Sequence, residues 1–322
     1  MKIKRAISLI LSGSCFAGAI ALSGCSGADS GLDKFEDTAR PDVESAYATR
    51  EEALAAGGGW YQTMNVDFED NQMPEYWHCS PHGQRKTEYW CDNLVSFEDG
   101  KCLIKAYHSD SNPCDICPAS GNFTGGIETS KTEDGTSWTQ AFGYYEVRVK
   151  LPETDGMWSA FWIQSENMGM IGNGGEDGSE IDIFESSFWN KESQRTYVGN
   201  CIHWDGYDRY HQSVDAKTDT GINLYDGNYH TFGLRWSPTE YVFYVDGTAM
   251  WATNAGGVSK VPEYLRLTNE IRDGVGPYGI RMKDFTATEE NPGIFYIDWI
   301  HVYQNTAYEP YIKSVSDFTA SK

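Results

Sequence analysis

The stretch Gly143-Tyr-Tyr-Glu-Val-Arg-Val-Lys150 decides the fold class of this 322-residue chain. Small or apolar side chains alternate with polar ones along it, as expected for a β-strand with one face on a core and one face on water. Other short stretches are rich in Val, Ile, Tyr, Phe and Trp and are bounded by Gly, Asp and Asn. The predicted strands are 101–107, 143–151, 158–164, 180–185, 229–236, 241–245 and 295–303.

The spacing of these strands predicts an all-β fold. No helical pattern of ordinary length separates them, which excludes a parallel α/β sheet and favours an antiparallel sandwich. Asp246-Gly247, directly after an apolar run, is a strong signal for a tight hairpin turn. We expect a single folded domain from Trp60 to the end of the chain, residues 60–322.

The composition of the chain limits the classes of molecule that it can bind. The chain carries 25 Lys and Arg against 47 Asp and Glu, a net charge of −22, so a nucleic acid or an anionic lipid surface would repel it. It also has 11 Trp and 20 Tyr, and every Trp lies at or beyond Trp60. A neutral polysaccharide is not repelled and can stack on aromatic rings, so we expect a polysaccharide or glycan partner.

The N-terminus has the pattern of an export signal. Lys2, Lys4 and Arg5 precede an apolar stretch that is too short and too diluted for a membrane span. Leu22-Ser-Gly-Cys25 resembles the bacterial lipobox, which predicts a signal peptide at 1–24 and lipidation of Cys25. The expected location is therefore the bacterial cell surface or envelope, with membrane contact only through the lipid.

Residues 25–59 are rich in small and acidic residues and contain few large apolar ones, which predicts a tether between the lipid and the domain. Within it, residues 42–56 could form a helix capped by Asp42 or Ser45.

Six cysteines follow the lipidation site, and an even number in an exported chain predicts disulfides whose pairing stays open. Cys114-Asp-Ile-Cys117 also suggests zinc or redox chemistry, but no second CxxC or histidine pair at ligand spacing accompanies it. We therefore favour disulfides. The six are Cys79, Cys91, Cys102, Cys114, Cys117 and Cys201.

Three acids crowd the stretch Glu180-Ile-Asp182-Ile-Phe-Glu185. In a strand Glu180 and Asp182 share a face, and an extra residue at Ile183 or Phe184, a β-bulge, would bring Glu185 to the same face. Like charges on one face repel, so the cluster indicates either cation coordination or acid–base catalysis. Retaining glycoside hydrolysis needs two carboxyl groups ~5 to 5.5 Å apart, one ionised and one protonated.

This stretch resembles the bulged E-x-D-x-x-E signature of glycoside hydrolase family 16, in the branch that includes laminarinases. The resemblance spans roughly residues 60–303 and is carried by further segments in family order, namely 143–152, 156–162, 201–204, 230–236, 243–247 and 298–303. It implies a concanavalin-like β-jelly-roll sandwich of two curved antiparallel sheets. It also implies Glu180 as nucleophile, Asp182 as its assistant and Glu185 as general acid/base.

The resemblance implies a retaining endo-glycosidase, an endo-β-glucanase acting on internal bonds of a β-1,3- or mixed β-1,3/1,4-glucan. The alternatives are a β-galactan or host-glycan endo-galactosidase and a non-catalytic carbohydrate-binding lipoprotein. Gly126 lies near the position where laminarinases usually carry an arginine, and residues 174–179 replace their Trp-Pro. These differences fall where the sugar subsites are built, so the identity of the substrate is left open.

The family pattern also implies substrate contacts. Trp158 and Trp162 share a strand face and are expected to stack on sugars, although core packing is the usual place for tryptophan in a sandwich. His203 lies where the family has a histidine beside the acid/base. We add Glu270 and Trp204 as further contacts, although Trp204 is expected to face the opposite way from His203.

The family pattern also implies a bound calcium ion with a structural and not a catalytic role. Asp298 matches a position that binds calcium in many members of the family, together with a backbone carbonyl at a glycine such as Gly100, and calcium prefers such oxygen ligands. An ordinary solvated aspartate is the alternative. We expect no cofactor for catalysis and a monomeric protein.

Overall fold

The computed structural model describes residues 30–111, 113–114, 116–272, 274, 276–279 and 282–318. They form one α-helix, α1 (Arg50–Ala55), and short 3₁₀ helices at Leu32–Lys34, Asp92–Leu94, Gly174–Asp177, Glu192–Gln194, Pro277–Gly279, Glu309–Tyr311 and Val315–Asp317. The strands are β1 (Trp60–Val66), β2 (His78–Cys79), β3 (Gly83–Gln84), β4 (Glu88–Trp90), β5 (Val95–Glu98), β6 (Lys101–Ser109), β7 (Gly121–Thr124), β8 (Gly126–Glu128), β9 (Gly143–Lys150), β10 (Met157–Gln164), β11 (Glu180–Ser186), β12 (Tyr197–Trp204), β13 (Gln212–Asp219), β14 (His230–Trp236), β15 (Tyr241–Val245), β16 (Thr248–Thr253), β17 (Tyr264–Ile271) and β18 (Gly293–Asn305).

The strands build two sheets, as predicted. The larger sheet has the order β16-β15-β14-β9-β18-β6-β7-β4-β3, with β1 paired to β18 and β5 to β6. The smaller sheet has the order β13-β12-β11-β10-β17-β8-β2. Pairing is antiparallel except between β4 and β7, which run parallel. Every predicted strand forms, and each end lies within two residues of its predicted position.

The core lies between the two sheets and holds the strand β11 in place. Phe184 of β11 packs against Phe232 of β14 and Phe295 of β18, with ring centroids 4.2 and 6.2 Å apart. Ile181 and Ile183 are buried in the same cluster. The apolar side chains of β11 therefore anchor it to the larger sheet, and the opposite face of the smaller sheet carries the acids.

The predicted hairpin at Asp246-Gly247 is confirmed. These two residues alone connect β15 to β16, and both have positive φ, 46° and 75°. Two consecutive positive φ angles define the turn type that matches the twist of a tight hairpin.

The N-terminal segment differs from the expected tether. Residues 30–59 pack on the outer face of the larger sheet, where Val43 joins Tyr144 in a buried cluster and Arg40 pairs with Glu146 at 3.0 Å. The packed part of the chain thus begins before Trp60.

This packing also changes strand β9. The predicted wet face of that strand carries Tyr144 and Glu146, and both are buried under the N-terminal segment. The helix predicted within 42–56 is shorter than expected, Arg50–Ala55, and its cap is Thr49, whose side chain accepts a hydrogen bond from the Glu52 amide. The predicted signal peptide and Cys25 lie outside the described residues. No described helix is long and apolar enough to cross a membrane.

The disulfide prediction needs correction. Among the described residues one disulfide forms, between Cys114 and Cys117. The other four cysteines among the described residues carry free thiols. They are Cys79, Cys91, Cys102 and Cys201.

Candidate active site

Strand β11 contains the predicted bulge. On the β10 side, Glu185 pairs with Ala160 and Asp182 with Trp162, which leaves Ile183 as the extra residue. The register against β12 shifts between the same two acids. The bulge brings Glu185 to the face that carries Glu180 and Asp182, so the expected row of three carboxyl groups exists.

The bulge is held by a specific hydrogen bond. Asn200 of β12 is buried, and its Nδ2 donates to the carbonyl oxygen of Ile183 at 2.7 Å. A bulge leaves a backbone group without its ladder partner, and the asparagine supplies that partner.

Glu180 is buried and its carboxylate is fixed from two sides. Its Oε2 accepts hydrogen bonds from Gln164 Nε2 at 3.0 Å and from the hydroxyl of Tyr207. Gln164 is itself held by Tyr264 and Arg266, which donate to its Oε1. The carboxylate of Glu180 therefore has one defined orientation.

Asp182 lies between the two glutamates and pairs with His203. The distance from His203 Nε2 is 3.3 Å to Asp182 Oδ2 and 3.8 Å to Glu180 Oε1. Burial raises the pKa of Asp182 to about 6, and the charge of Glu180 adds to the rise, while His203 opposes it. The geometry thus places His203 beside Asp182 and Glu180, whereas the family pattern implied a place beside the acid/base Glu185.

His203 belongs to a histidine pair. Its Nδ1 is 2.8 Å from Nε2 of His211, and the two rings stack. Burial opposes protonation of His203, but its contacts with Cys201 and Asp182 outweigh burial, and its pKa is raised well above 6.5. Burial and the neighbouring His203 lower the pKa of His211. A protonated His203 thus donates to a neutral His211 and to Asp182.

Glu185 is the carboxyl group that keeps its proton. Burial raises its pKa to about 8, and the charge of Asp182 contributes to the rise. The hydroxyl of Tyr278 donates a hydrogen bond to Glu185 Oε2 and opposes the rise. At neutral pH one carboxyl group of the row is protonated, which is the arrangement that acid catalysis needs.

Trp162 lies on the face of the acids and is almost fully covered. Its indole Nε1 donates to Thr268 Oγ1 at 3.1 Å, and the guanidinium of Arg266 lies 4.2 Å from its ring centroid. Arg266 in turn pairs with Glu128 at 3.0 Å. A sugar could stack on this ring only after Arg266 moved.

Trp158 has a cationic cover as well. The Nζ of Lys86 lies 3.5 Å from the ring centroid of Trp158 and 2.5 Å from Glu270 Oε2. Glu270 is buried and also pairs with Arg85 at 2.9 Å. Although burial disfavours the carboxylate, these two cations lower the pKa of Glu270 to about 2. Glu270, expected as a substrate contact, therefore lies beside Trp158 as the centre of an ion cluster.

Trp204 does not contribute to this face. It follows His203 on β12, so its side chain points to the opposite side of the sheet, where it packs on the core. A Cβ built at Gly256 would lie 2.6 Å from its ring, which shows how closely that backbone covers the indole. The expected opposite orientation of Trp204 is therefore found, and the structure does not place its side chain with the acids.

The residues at the expected calcium position do not fit that ion. Both carboxylate oxygens of Asp298 are engaged by cations, Lys101 at 2.9 Å and Arg148. Gly100 lies in the β5–β6 turn, where its amide donates to Asn71 Oδ1. A calcium ion needs several oxygen ligands, and two cations already compensate this carboxylate.

Asp182, Cys201 and His203 also offer ligand atoms within 4.8 Å of one another. Burial raises the pKa of Cys201 to about 12, so release of its proton to a metal is disfavoured. Asp182 and His203 pair with each other. We assign no metal to this group.

Sequence reasoning missed several partners of the acids. Gln164 could have been found, because it lies two residues after Trp162 on the same strand and hence on the same face. Tyr207 and Tyr278 come from connecting segments that have no periodic pattern. Arg85 and Lys86 come from the β3–β4 turn, far from Glu270 in sequence.

Comparisons with known proteins agree with this geometry. The family model of glycosyl hydrolases family 16 matches residues 86–300. Clotting factor G alpha subunit of Tachypleus tridentatus is 25% identical over 231 residues, which are 70% of this chain and 30% of that protein. A glucan endo-1,3-beta-glucosidase of Cryptopygus antarcticus is 26% identical over 208 residues, 59% of this chain and 68% of that protein. The chain thus spans less than a third of the clotting factor subunit.

One solved structure comes from work on endo-acting O-glycanases that human gut bacteria express to initiate mucin breakdown. It has a TM-score of 0.60 and 20% identity, and the match covers 81% of this chain and 95% of that chain. This likeness supports the jelly-roll fold.

Proposed function

Because the chain belongs to glycoside hydrolase family 16, we propose that it is a retaining endo-glycosidase that uses the three acids of β11. One observation carries the proposal. The bulge of β11 aligns three buried carboxyl groups, and their surroundings leave Glu185 protonated at neutral pH. A carboxyl group that holds its proton at neutral pH can act as the general acid of glycoside hydrolysis, and the family pattern assigns Glu180 as the nucleophile of the retaining reaction.

In the first step Glu185 gives its proton to the glycosidic oxygen while the carboxylate of Glu180 attacks the anomeric carbon. The bond to the leaving sugar breaks and a glycosyl-enzyme ester forms on Glu180. The hydrogen bonds from Gln164 and Tyr207 support this role, because they fix the attacking group before substrate arrives.

In the second step the ionised Glu185 takes a proton from water, and the water oxygen attacks the anomeric carbon of the ester. Glu180 leaves as a carboxylate and the configuration of the sugar is retained. Asp182 lies between the two glutamates, and its negative charge helps to raise the pKa of Glu185. His203 balances that charge through its contact with Asp182.

As substrate we propose a β-1,3-glucan or a mixed β-1,3/1,4-glucan, cleaved at internal bonds. The relative described as a glucan endo-1,3-beta-glucosidase supports this choice.

A second substrate class, a β-galactan or host glycan, has one observation in its favour. Lys86 and Arg266 cover the rings of Trp158 and Trp162, where a plain glucan would stack. The structural likeness to an O-glycanase is compatible with that class.

The deciding experiment is a panel of laminarin, lichenan, agarose and mucin, with reducing-end release and product size measured. Oligosaccharides from laminarin or lichenan, lost in Glu180→Gln, are the expected result. Release from mucin or agarose alone would move the substrate to the second class. Binding without release from any polymer would instead identify a carbohydrate-binding lipoprotein and overturn the hydrolase proposal.

We also propose export and lipid anchorage at Cys25. This rests on the sequence of residues 1–25 alone. Metabolic labelling with a clickable fatty acid should mark the native chain and leave a Cys25→Ala chain unmarked.

A further inference from the structure

Four side chains that favour soft metals meet outside the row of acids on β11. His82, Cys91, Cys114 and Cys117 each bring one ligand atom, and all four atoms lie within 4.8 Å of one another. Cys91 and Cys117 are buried, and the other two are half-buried. Three thiols and one imidazole are a common ligand set of structural zinc sites.

The orientation of His82 is a second observation that points to a metal. Its Nε2 lies 2.5 Å from Oδ1 of Asp92, and its Nδ1 faces Cys114 Sγ at 3.9 Å. Histidines that bind metals usually donate their other ring nitrogen to a carboxylate, which fixes the tautomer and the ring. A neutral imidazole that donates its Nε2 proton to Asp92 would present the lone pair of Nδ1 toward Cys114.

The backbone also places these ligands without rearrangement of the strands. Cys114 and Cys117 share a tight turn, closed by a hydrogen bond from the Cys117 amide to the Cys114 carbonyl at 3.1 Å. Cys91 follows β4, and its amide donates to Thr124 of β7 at 2.9 Å. His82 directly precedes β3. The site would therefore join the β3–β4 hairpin to the turn before β7.

We propose that the reduced chain binds one zinc ion through His82 Nδ1 and the Sγ atoms of Cys91, Cys114 and Cys117. The Cys114–Cys117 disulfide must first open. A dithiol reductant gives two electrons and two protons, forming two thiols as it becomes a disulfide itself. Zinc then displaces the protons of three thiols, and the imidazole binds in its neutral form.

Such a site would affect the two cations that lie beside Trp158. Arg85 and Lys86 lie in the hairpin between His82 and Cys91, and both cations pair with Glu270 beside Trp158. A metal that fixes both ends of this hairpin fixes the cationic cover of Trp158. Zinc binding at this site is independent of the reaction proposed at Glu180.

The test is a cobalt and zinc titration of the full chain, reduced with a phosphine and desalted without oxygen. We expect one cobalt ion per chain, an intense cobalt–thiolate charge-transfer absorption, and its loss when one equivalent of zinc is added. Absence of that absorption, together with no zinc retained after gel filtration, would overturn the proposal.

Variants assign the ligands. Cys91→Ser and His82→Ala should each weaken zinc binding strongly, and Asp92→Asn should weaken it by about 10- to 100-fold because it removes the carboxylate behind the imidazole. Cys79→Ser is the matched control, a thiol outside the four-ligand group, and should bind zinc like the native chain. His82 is half-buried, so its variant remains informative if Cys91→Ser does not fold. Equal zinc affinity in His82→Ala and the native chain would contradict the assignment.

Discussion

The backbone of Gly199 lies against the ring of Tyr278, whose hydroxyl donates to Glu185. A Cβ at position 199 would lie 2.1 Å from the ring carbon Cε2 of Tyr278, a distance that real structures do not show. Gly199 is also the residue of β12 that pairs with Glu185 across the bulge. A glycine at this position is therefore what lets the tyrosine reach Glu185, the proposed general acid.

We expect Gly199→Ala and Tyr278→Phe to have the same effect on the pH profile. Each removes the Tyr278 hydrogen bond, which lowers the pKa of Glu185, so the pKa of Glu185 should rise further. The basic limb of kcat/KM should move to higher pH by up to about one unit, equivalent to about 1.4 kcal/mol. Gly169→Ala, with open space around the new methyl group, is the control and should leave the limb in place.

The native enzyme should lose activity above about pH 8. The first step needs the protonated form of Glu185, whose pKa is raised to about 8, so kcat/KM should fall as pH rises through this value. The measurement is kcat/KM against pH on a soluble polysaccharide. A profile that stays flat to pH 10 would show that another group is the acid.

The two glutamates should differ in their response to the leaving group. Glu180→Gln should abolish hydrolysis of every substrate, because no nucleophile remains. Glu185→Gln should lower hydrolysis of a polysaccharide by about 10²- to 10⁴-fold, and an aryl glycoside with an acidic leaving group should recover much of that loss in the first step. Circular dichroism checks that both variants fold. Equal behaviour of the two variants toward the aryl glycoside would contradict the assigned roles.

The Glu270 cluster should make stability depend on pH in the acid range. The pKa of Glu270 is lowered from 4.5 to about 2. The stabilisation that its ionised form gives the folded state is therefore present above about pH 4.5 and is lost as pH falls toward 2. Arg85→Met should lower the free energy of unfolding by about 2–3 kcal/mol, less than for a fully broken buried pair because Lys86 remains.

The double variant Arg85→Met/Glu270→Gln tests the cause of that loss. It should recover most of the stability, since no unpaired carboxylate is left buried. Urea unfolding at pH 7 measures all the variants. A double variant as unstable as the sum of its single changes would show that packing, and not charge, explains the loss.

The N-terminal segment should contribute to stability through Arg40. Arg40→Ala leaves the buried Glu146 without its cation and should cost about 1–3 kcal/mol. Arg50→Ala removes an arginine from an exposed pair with Glu309 and should change little. Thermal unfolding of the two variants gives the comparison, and equal melting temperatures would contradict a structural role for the segment.

The sequence predicted those features that depend on local periodicity. The strands, the Asp246-Gly247 turn and the bulge all follow from side-chain alternation and turn chemistry within a few residues. The shared face of Glu180, Asp182 and Glu185 follows in the same way.

Features that join distant parts of the chain were not predictable. The cover of Trp158 by Lys86 depends on how the β3–β4 hairpin folds over β10. The packing of residues 30–59 rests on isolated apolar residues such as Val43, which show no period. The grouping of His82 with three cysteines arises only when two turns meet, so ligand spacing along the chain does not reveal it.

The packed N-terminal segment sets the direction in which an anchored enzyme would face. Ser30 lies on the outer face of the larger sheet, where its carbonyl accepts from Ala252, and the acids lie on the outer face of the smaller sheet. Cys25 lies five positions before Ser30, a span of at most about 18 Å. With the proposed lipid at Cys25, the larger sheet would turn toward the bilayer and the catalytic row toward the surroundings. A lipidated chain on vesicles should then digest soluble polymer as fast as the lipid-free chain.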